Sequence, residues 1–240
     1  MTSVQGVPRP HRPRWVVPFA AFAVLFFIGT QAHGLLTSPP ELDMGHLQKI
    51  LYVHVPAAWT ALVAYLIVFV FSVLYLWRRN ERHDLLAASA AEVGVVFNAL
   101  AIALGSIWGR PTWGVWWAWW DARLVSTAVL LVIYVGYLAM RAFTEDTERR
   151  ARWSAAVGIL GFLNAYIVYM SVKWWRTLHQ IQSTPETVDS PYKLAMRTNA
   201  FAFLFLMIVF IALRYHAARV DRAADERAER EALSGGAVHV

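Results

Sequence analysis

Six stretches of the chain are almost purely apolar and long enough to cross a bilayer as helix: residues 15–36, 57–77, 85–107, 124–140, 153–172 and 196–215. A hydrocarbon core about 30 Å thick takes about 20 residues at 1.5 Å of rise each. The fourth stretch is the shortest and extends readily through Ala142. The third is the least apolar, because Glu92 and Asn98 interrupt it. An ionised Glu at a helix centre costs on the order of 2.5–3.5 kcal/mol on insertion scales. Glu92 is therefore expected to face another helix, to sit protonated, or to lie near the interface. The pattern predicts an all-α polytopic membrane protein with six transmembrane helices.

Composition agrees. Of 240 residues, 58% are hydrophobic and only 16% charged, with a mean hydropathy of +0.42, whereas soluble domains carry about 25% charged residues. The chain has no cysteine, which excludes disulfide scaffolds and Cys-ligated metal chemistry. A net charge of +6 could suggest nucleic acid, but its distribution assigns the excess to loops. Fifteen Lys and Arg fall before span one, after spans two and four, and after span six; seven fall in the other connections. The positive-inside rule then places both termini in the cytoplasm and three loops outside, and no nucleic-acid partner is expected. The organisation read from this is a cytoplasmic N-terminal segment (1–14), a six-helix membrane domain (15–215) and a cytoplasmic tail (216–240). Span one is expected to stay uncleaved, since Gln31-Ala32-His33 is a poor signal-peptidase site. The mixed charges of 217–232 suit a solvated helix that continues span six.

The outside connections carry the chemistry. Six of the twelve tryptophans lie in 108–120, the Trp-rich segment of 108–123. Aromatic belts usually place one or two such residues per span, so this density exceeds what anchoring needs. As a helix, the segment would align Trp113, Trp116, Trp117 and Trp120 on one face, an aromatic platform for a large planar ligand. Gly109, Pro111 and Gly114 are expected to bend the chain on entry to a loop. Asp121 is placed to N-cap span four. Arg123 then falls in a first turn that disfavours a cation, so it pairs either with Asp121 or with a carboxylate from outside the helix.

Four of the eight histidines fall outside: His33, His46, His54 and His179. A lone His near a membrane surface is more often structural than a ligand. Two features raise His54 and His179. His54 precedes Pro56, read as the first helical position of span two, so its imidazole sits at the positive end of a helix dipole and stays neutral. His179 follows the aromatic and basic run Lys173-Trp174-Trp175-Arg176. Histidines, a Trp surface and cations at one membrane face are the set that haem asks for: axial ligands, an apolar wall and partners for two propionates. Without Cys, the axial candidates are His, Met or Tyr, and spacing alone does not choose His54 over His46.

Three motifs carry a family resemblance: Tyr52-Val-His54-Val-Pro56-Ala-Ala-Trp59, the segment from Trp113-Gly-Val-Trp116-Trp117 to Asp121-Ala-Arg123-Leu, and Ser171-Val-Lys-Trp174-Trp175-Arg-Thr-Leu-His179-Gln. From about residue 47 to 215 the chain resembles the haem exporter protein C family (cytochrome c maturation protein C), haem-handling proteins with a WWD domain. The resemblance implies haem b as the bound group and His54 and His179 as axial iron ligands. It makes the Trp segment, with Trp113, Trp116, Trp117 and Trp120, the haem platform, and assigns functional roles to Asp121 and Arg123. It implies a multi-pass protein of the bacterial inner membrane that works at the periplasmic face. The partners it implies are a periplasmic haem chaperone, ABC-type transporter subunits and a small one-span subunit. One departure is an extra residue before Asp121: the family reads W-G-x-W-W-x-W-D, whereas Trp119 and Trp120 both precede Asp121 here. In a helix that insertion turns the platform by about 100°.

The expected function is haem binding at the periplasmic face and promotion of transfer to the chaperone. This is delivery, with lyase-like promotion of attachment, rather than enzymatic turnover. Arg123, with Arg110 or Arg176, is expected to pair with propionates, in a site ringed by surface loops rather than sunk between spans. The principal alternative is a transmembrane haem permease subunit; Glu92 and Asn98 are the only polar mid-span residues that could line its path. A membrane cytochrome b would place its His ligands inside the spans, and a purely structural subunit would leave the clustering unexplained.

Overall fold

A computed structural model describes residues 10–179 and 188–236, and apart from an isolated bridge between Glu41 and Gly45 their secondary structure is helical. The helices are α1 (Val16–Thr37), α2 (Leu51–Arg78, preceded by a 3-10 turn at His46–Ile50), α3 (Glu81–Trp113), α4 (Ala122–Phe143), α5 (Thr147–Trp174) and α6 (Ser190–Gly236). All six are long and apolar enough to span a membrane.

Two boundaries that bear on the site differ from the sequence reading. α2 starts six residues earlier than expected, so Pro56 lies inside the helix rather than at its first position. Pro56 is the sixth residue of α2, past the N–H groups that lack an intrahelical acceptor, so it leaves the Tyr52 carbonyl without its usual i→i−4 donor. His54 is consequently a first-turn helical residue. α3 runs on through Gly109 and Pro111 to Trp113. Gly109 packs rather than turns: a Cβ there would come within 3.0 Å of the Trp113 indole one turn on. The chain leaves the helix at Gly114, whose φ of 78° suits glycine at a helix C-terminus. α6 continues to Gly236, as the charge pattern of the tail suggested.

α2 and α3 form the centre. Small residues on both (Ala57, Ala61, Ala64, Ala87, Ala90, Ala91) are buried and let the backbones approach closely. Gly94 faces the Tyr65 ring so tightly that a Cβ would lie 2.7 Å from it. α5 packs on α2 with Gly158 against Ser72, and α4 packs on α5 with Gly161 against Tyr134. On the other side α6 covers α2 and α3, placing Phe203 against Phe97. α1 lies outermost against α6, tied by Thr30 and Gln31 donating to the buried Asn199 amide oxygen.

Ion pairs join helices within the bundle. Arg141 of α4 makes two hydrogen bonds, of 2.6 and 2.8 Å, with the buried Asp84 of α3. Glu92 meets Arg214 of α6, which settles its orientation in favour of facing another helix. At the end of the bundle where α2 begins and α3 ends, the four helices α2, α3, α4 and α5 diverge around a pocket.

Candidate functional site

The pocket is open to one side and, open solvent included, takes in about 1130 Å3 of space not filled by atoms. α2 contributes His54, Val55, Ala58, Trp59 and Leu62; α3 contributes Asn98, Ala101, Gly105 and Trp108; α4 contributes Arg123, Thr127 and Leu130. Trp113, Trp117 and His179 close the top, and Val168 of α5 lines one wall. Measured along α2, the lining continues about 12 Å beyond His54 to Leu62. The site is therefore sunk between helices, contrary to the expectation of a ring of surface loops.

His54 is held by its second nitrogen. Nδ1 lies 2.9 Å from the Ala101 carbonyl of α3. A carbonyl only accepts, so Nδ1 carries the proton and Nε2 keeps its lone pair. This is the arrangement by which proteins orient a metal-ligating His. Gly105, one turn further along α3, makes the space: a Cβ there would fall 2.9 Å from His54 Cε1.

His179 reaches the pocket from the segment after α5. Its ring packs edge-on against Trp113 at 5.0 Å between centroids, and Trp113 in turn meets Trp108 at 5.1 Å. Burial lowers the His179 pKa to about 3, the Arg123 and His54 charges push the same way, and Asp121 opposes them. The imidazole is thus neutral at physiological pH, the form that binds iron, and its Nδ1 has no hydrogen-bond partner among the described residues.

The Trp segment is not a helical platform. Beyond Gly114 the backbone is irregular to Asp121, so the i, i+3, i+4, i+7 face never forms. Trp113 and Trp117 line the pocket, whereas Trp116 and Trp120 point outward with 60% and 74% of their surface exposed, beside the equally exposed Trp119. The indoles opposite them come from elsewhere, Trp108 on α3 and Trp59 on α2. Trp59 was visible in sequence only as one and a third turns beyond His54 on the same helix, and Trp108 only as the start of the cluster.

Asp121 is 2% exposed and stands behind the pocket wall. One carboxylate oxygen accepts from the backbone N–H groups of Arg123 and Leu124, both at 3.0 Å, which is the predicted N-cap. The other accepts from the Leu178 N–H at 2.6 Å. The Arg123 guanidinium turns away from Asp121 into the pocket, where Nη1 donates to the Val168 carbonyl at 3.3 Å. Arg110 instead donates to the Gly114 carbonyl at the end of α3, and Arg176 is exposed; neither lines the pocket.

Neutral imidazoles, indole walls and a lone cation among the lining residues fit a porphyrin with a carboxylate edge. Comparison with known proteins points the same way. The family described as heme exporter protein C matches residues 10–231. The chain belongs to that family. It is 34% identical to the heme exporter protein C of Escherichia coli K12 over 203 residues, covering 83% of this chain and 82% of the relative. It is 33% identical to that of Bradyrhizobium diazoefficiens over 197 residues (80% and 74%). The relative from Paracoccus denitrificans is 34% identical over 205 residues, 83% of each chain. Membership in the heme exporter protein C family makes this a multi-pass membrane protein that handles haem in cytochrome c maturation.

Proposed function

We propose that the chain holds haem b at the periplasmic face of the bacterial inner membrane and promotes its transfer to a periplasmic haem chaperone. The observation that carries this reading is the meeting of His54 and His179, on separate segments, in one Trp-walled pocket. Haem is cargo here, and Nε2 of His54 and the His179 imidazole are the nitrogens that would hold its iron. Trp59, Trp108, Trp113 and Trp117 cover the macrocycle and exclude water. Arg123 takes one propionate, and the pocket mouth leaves the other edge open to the chaperone. The reaction asks nothing further of this chain than binding, orientation and release, so it acts as a delivery component. ABC-type subunits and a small one-span subunit of the maturation system are the partners proposed for its membrane-facing surfaces. The excess of Lys and Arg in the opposite connections supports an outward-facing pocket end.

A permease reading is less favoured. At its inner end the pocket meets Asn98, which donates to the Tyr65 hydroxyl at 3.4 Å, and Tyr65 stacks on Tyr134 at 3.8 Å. Both tyrosines are fully buried, so this column stops the lining about halfway along the bundle.

The test is the absorption spectrum and pyridine-haemochrome content of the detergent-purified protein, compared with His54→Ala and His179→Ala, each with and without imidazole. Loss of ligation in both variants, restored by imidazole, is the expected result. Unchanged haem content and spectrum in both would place the iron elsewhere and sink the reading.

A further inference from the structure

We propose that Asp121 is a positioning residue: its carboxylate clasps the segment after α5 to the start of α4 and so holds His179 over the pocket. The inference rests on the haem reading above but goes beyond it, because it takes Asp121 out of contact with the cargo.

The carboxylate is fully committed to backbone. One oxygen caps α4 through two N–H groups, and the other accepts from Leu178, immediately before His179 in the chain and 57 residues from Asp121. A carboxylate held by three N–H donors and 2% exposed has little capacity left for a ligand. Leu178 needs the contact as much. It lies outside any helix, and its side chain is 38% exposed. Around it, α5 ends where the Trp175 N–H reaches the Ser171 carbonyl, and the Thr177 hydroxyl donates to the His179 carbonyl. These bonds shape the segment internally. The Asp121–Leu178 bond fastens it to another helix, the one that also presents Arg123 to the pocket. A single side chain thereby sets the spacing between an iron ligand and the neighbouring cation.

Two substitutions separate the clasp from the cap. Asp121→Asn keeps a carbonyl oxygen for the α4 N–H groups but turns an NH2 toward the Leu178 N–H, donor against donor. Asp121→Ser also caps well and is too short to reach Leu178. Asn, Asp and Ser are about equal as N-caps, so α4 should start normally in both.

The first readout is hydrogen exchange at the Leu178 amide in the haem-free full chain. Exchange is expected to accelerate roughly tenfold or more in both variants, the effect of losing a hydrogen bond to a charged group. The second is the spectrum after haem loading, which is expected to become that of His179→Ala and to return to the wild-type form with imidazole. Unchanged Leu178 exchange would overturn the clasp. Faster exchange with a wild-type haem spectrum would show that His179 does not need it. Loss of haem that imidazole cannot restore, with helix content intact, would make Asp121 a direct cargo contact and overturn the proposal as well. If the haem reading itself fails, wild type and His179→Ala give the same spectrum, while the exchange measurement still reports on the clasp.

Discussion

Gly105 gives the sharpest test of how the pocket holds its first histidine. An alanine Cβ at this position would lie 2.9 Å from Cε1 and 3.4 Å from Nδ1 of His54. Carbon atoms settle at about 3.5–4.0 Å, so the imidazole must retreat from α3 by roughly 0.5 Å or more. The same ring is bonded to α3 through the 2.9 Å contact between Nδ1 and the Ala101 carbonyl. A retreat of that size stretches this bond beyond the normal hydrogen-bond range. Loss of such a support for a ligating His typically costs 10–100-fold in metal affinity, or about 1.4–2.7 kcal/mol. Gly105→Ala should therefore bind haem about 10–100-fold more weakly in a titration followed by Soret absorbance. Alanine is the better helix former by about 1 kcal/mol, so a loss of fold does not explain the effect, and a thermal melt checks this. Gly136→Ala on α4 is the control, because nothing lies within 4 Å of a Cβ there. Binding by Gly105→Ala within about twofold of the Gly136→Ala protein, with the same Soret maximum, would refute the argument that α3 fixes the His54 ring.

Two further outcomes follow from the site. Trp113→Ala should cut haem affinity by at least tenfold, the loss expected of about 1.5 kcal/mol of ring contact, whereas Trp116→Ala should leave it nearly unchanged, because Trp116 is exposed outside the pocket; equal losses would revive the helical platform. The His179 pKa, lowered to about 3 mainly by burial, means that no proton has to leave this ring for iron to bind between pH 7.5 and 5. Haem affinity should then stay flat over that range as far as His179 is concerned. A tenfold fall per pH unit below about 6.5 that is absent from His179→Ala would contradict this. The sign for the fold is opposite to that of a salt-bridged His. The unfolded chain takes up the proton first, so the contribution of His179 to stability is present above about pH 6.5 and is lost as pH falls toward 3.

What could be read from the sequence follows from which forces act locally. The six spans were legible because a bilayer demands length and apolarity from each helix separately. The Asp121 cap was legible because capping involves only the next three residues. The fate of 109–114 was not. Gly109, Pro111 and Gly114 look alike as punctuation, yet only Gly114 takes a left-handed conformation. Gly109 makes room for the Trp113 indole inside a helix that continues, and nothing local distinguishes a packing glycine from a turning one. The platform geometry failed for the same reason, since it assumed that neighbouring tryptophans share one surface.

The pocket instead draws its walls from four helices and two connecting segments, and each partnership crosses a long stretch of chain. His54 is fixed by Ala101, Arg123 by Val168, and the segment carrying His179 by Asp121. In each pair one member is a backbone group, which any residue supplies, so sequence carries no mark of the pairing. The side chains visible in sequence are those with chemistry to offer the cargo. Those that decide where the chemistry stands are a glycine, an alanine carbonyl and a carboxylate turned away from the pocket. The family motif joins the two kinds in Asp121-Ala-Arg123: Asp121 fastens the segment that carries His179, and Arg123, two residues on, faces the pocket. An extra tryptophan before Asp121 is tolerable in such a design. The irregular stretch between Gly114 and Asp121 absorbs the added residue without turning any helix, and Asp121 still re-enters at the cap of α4.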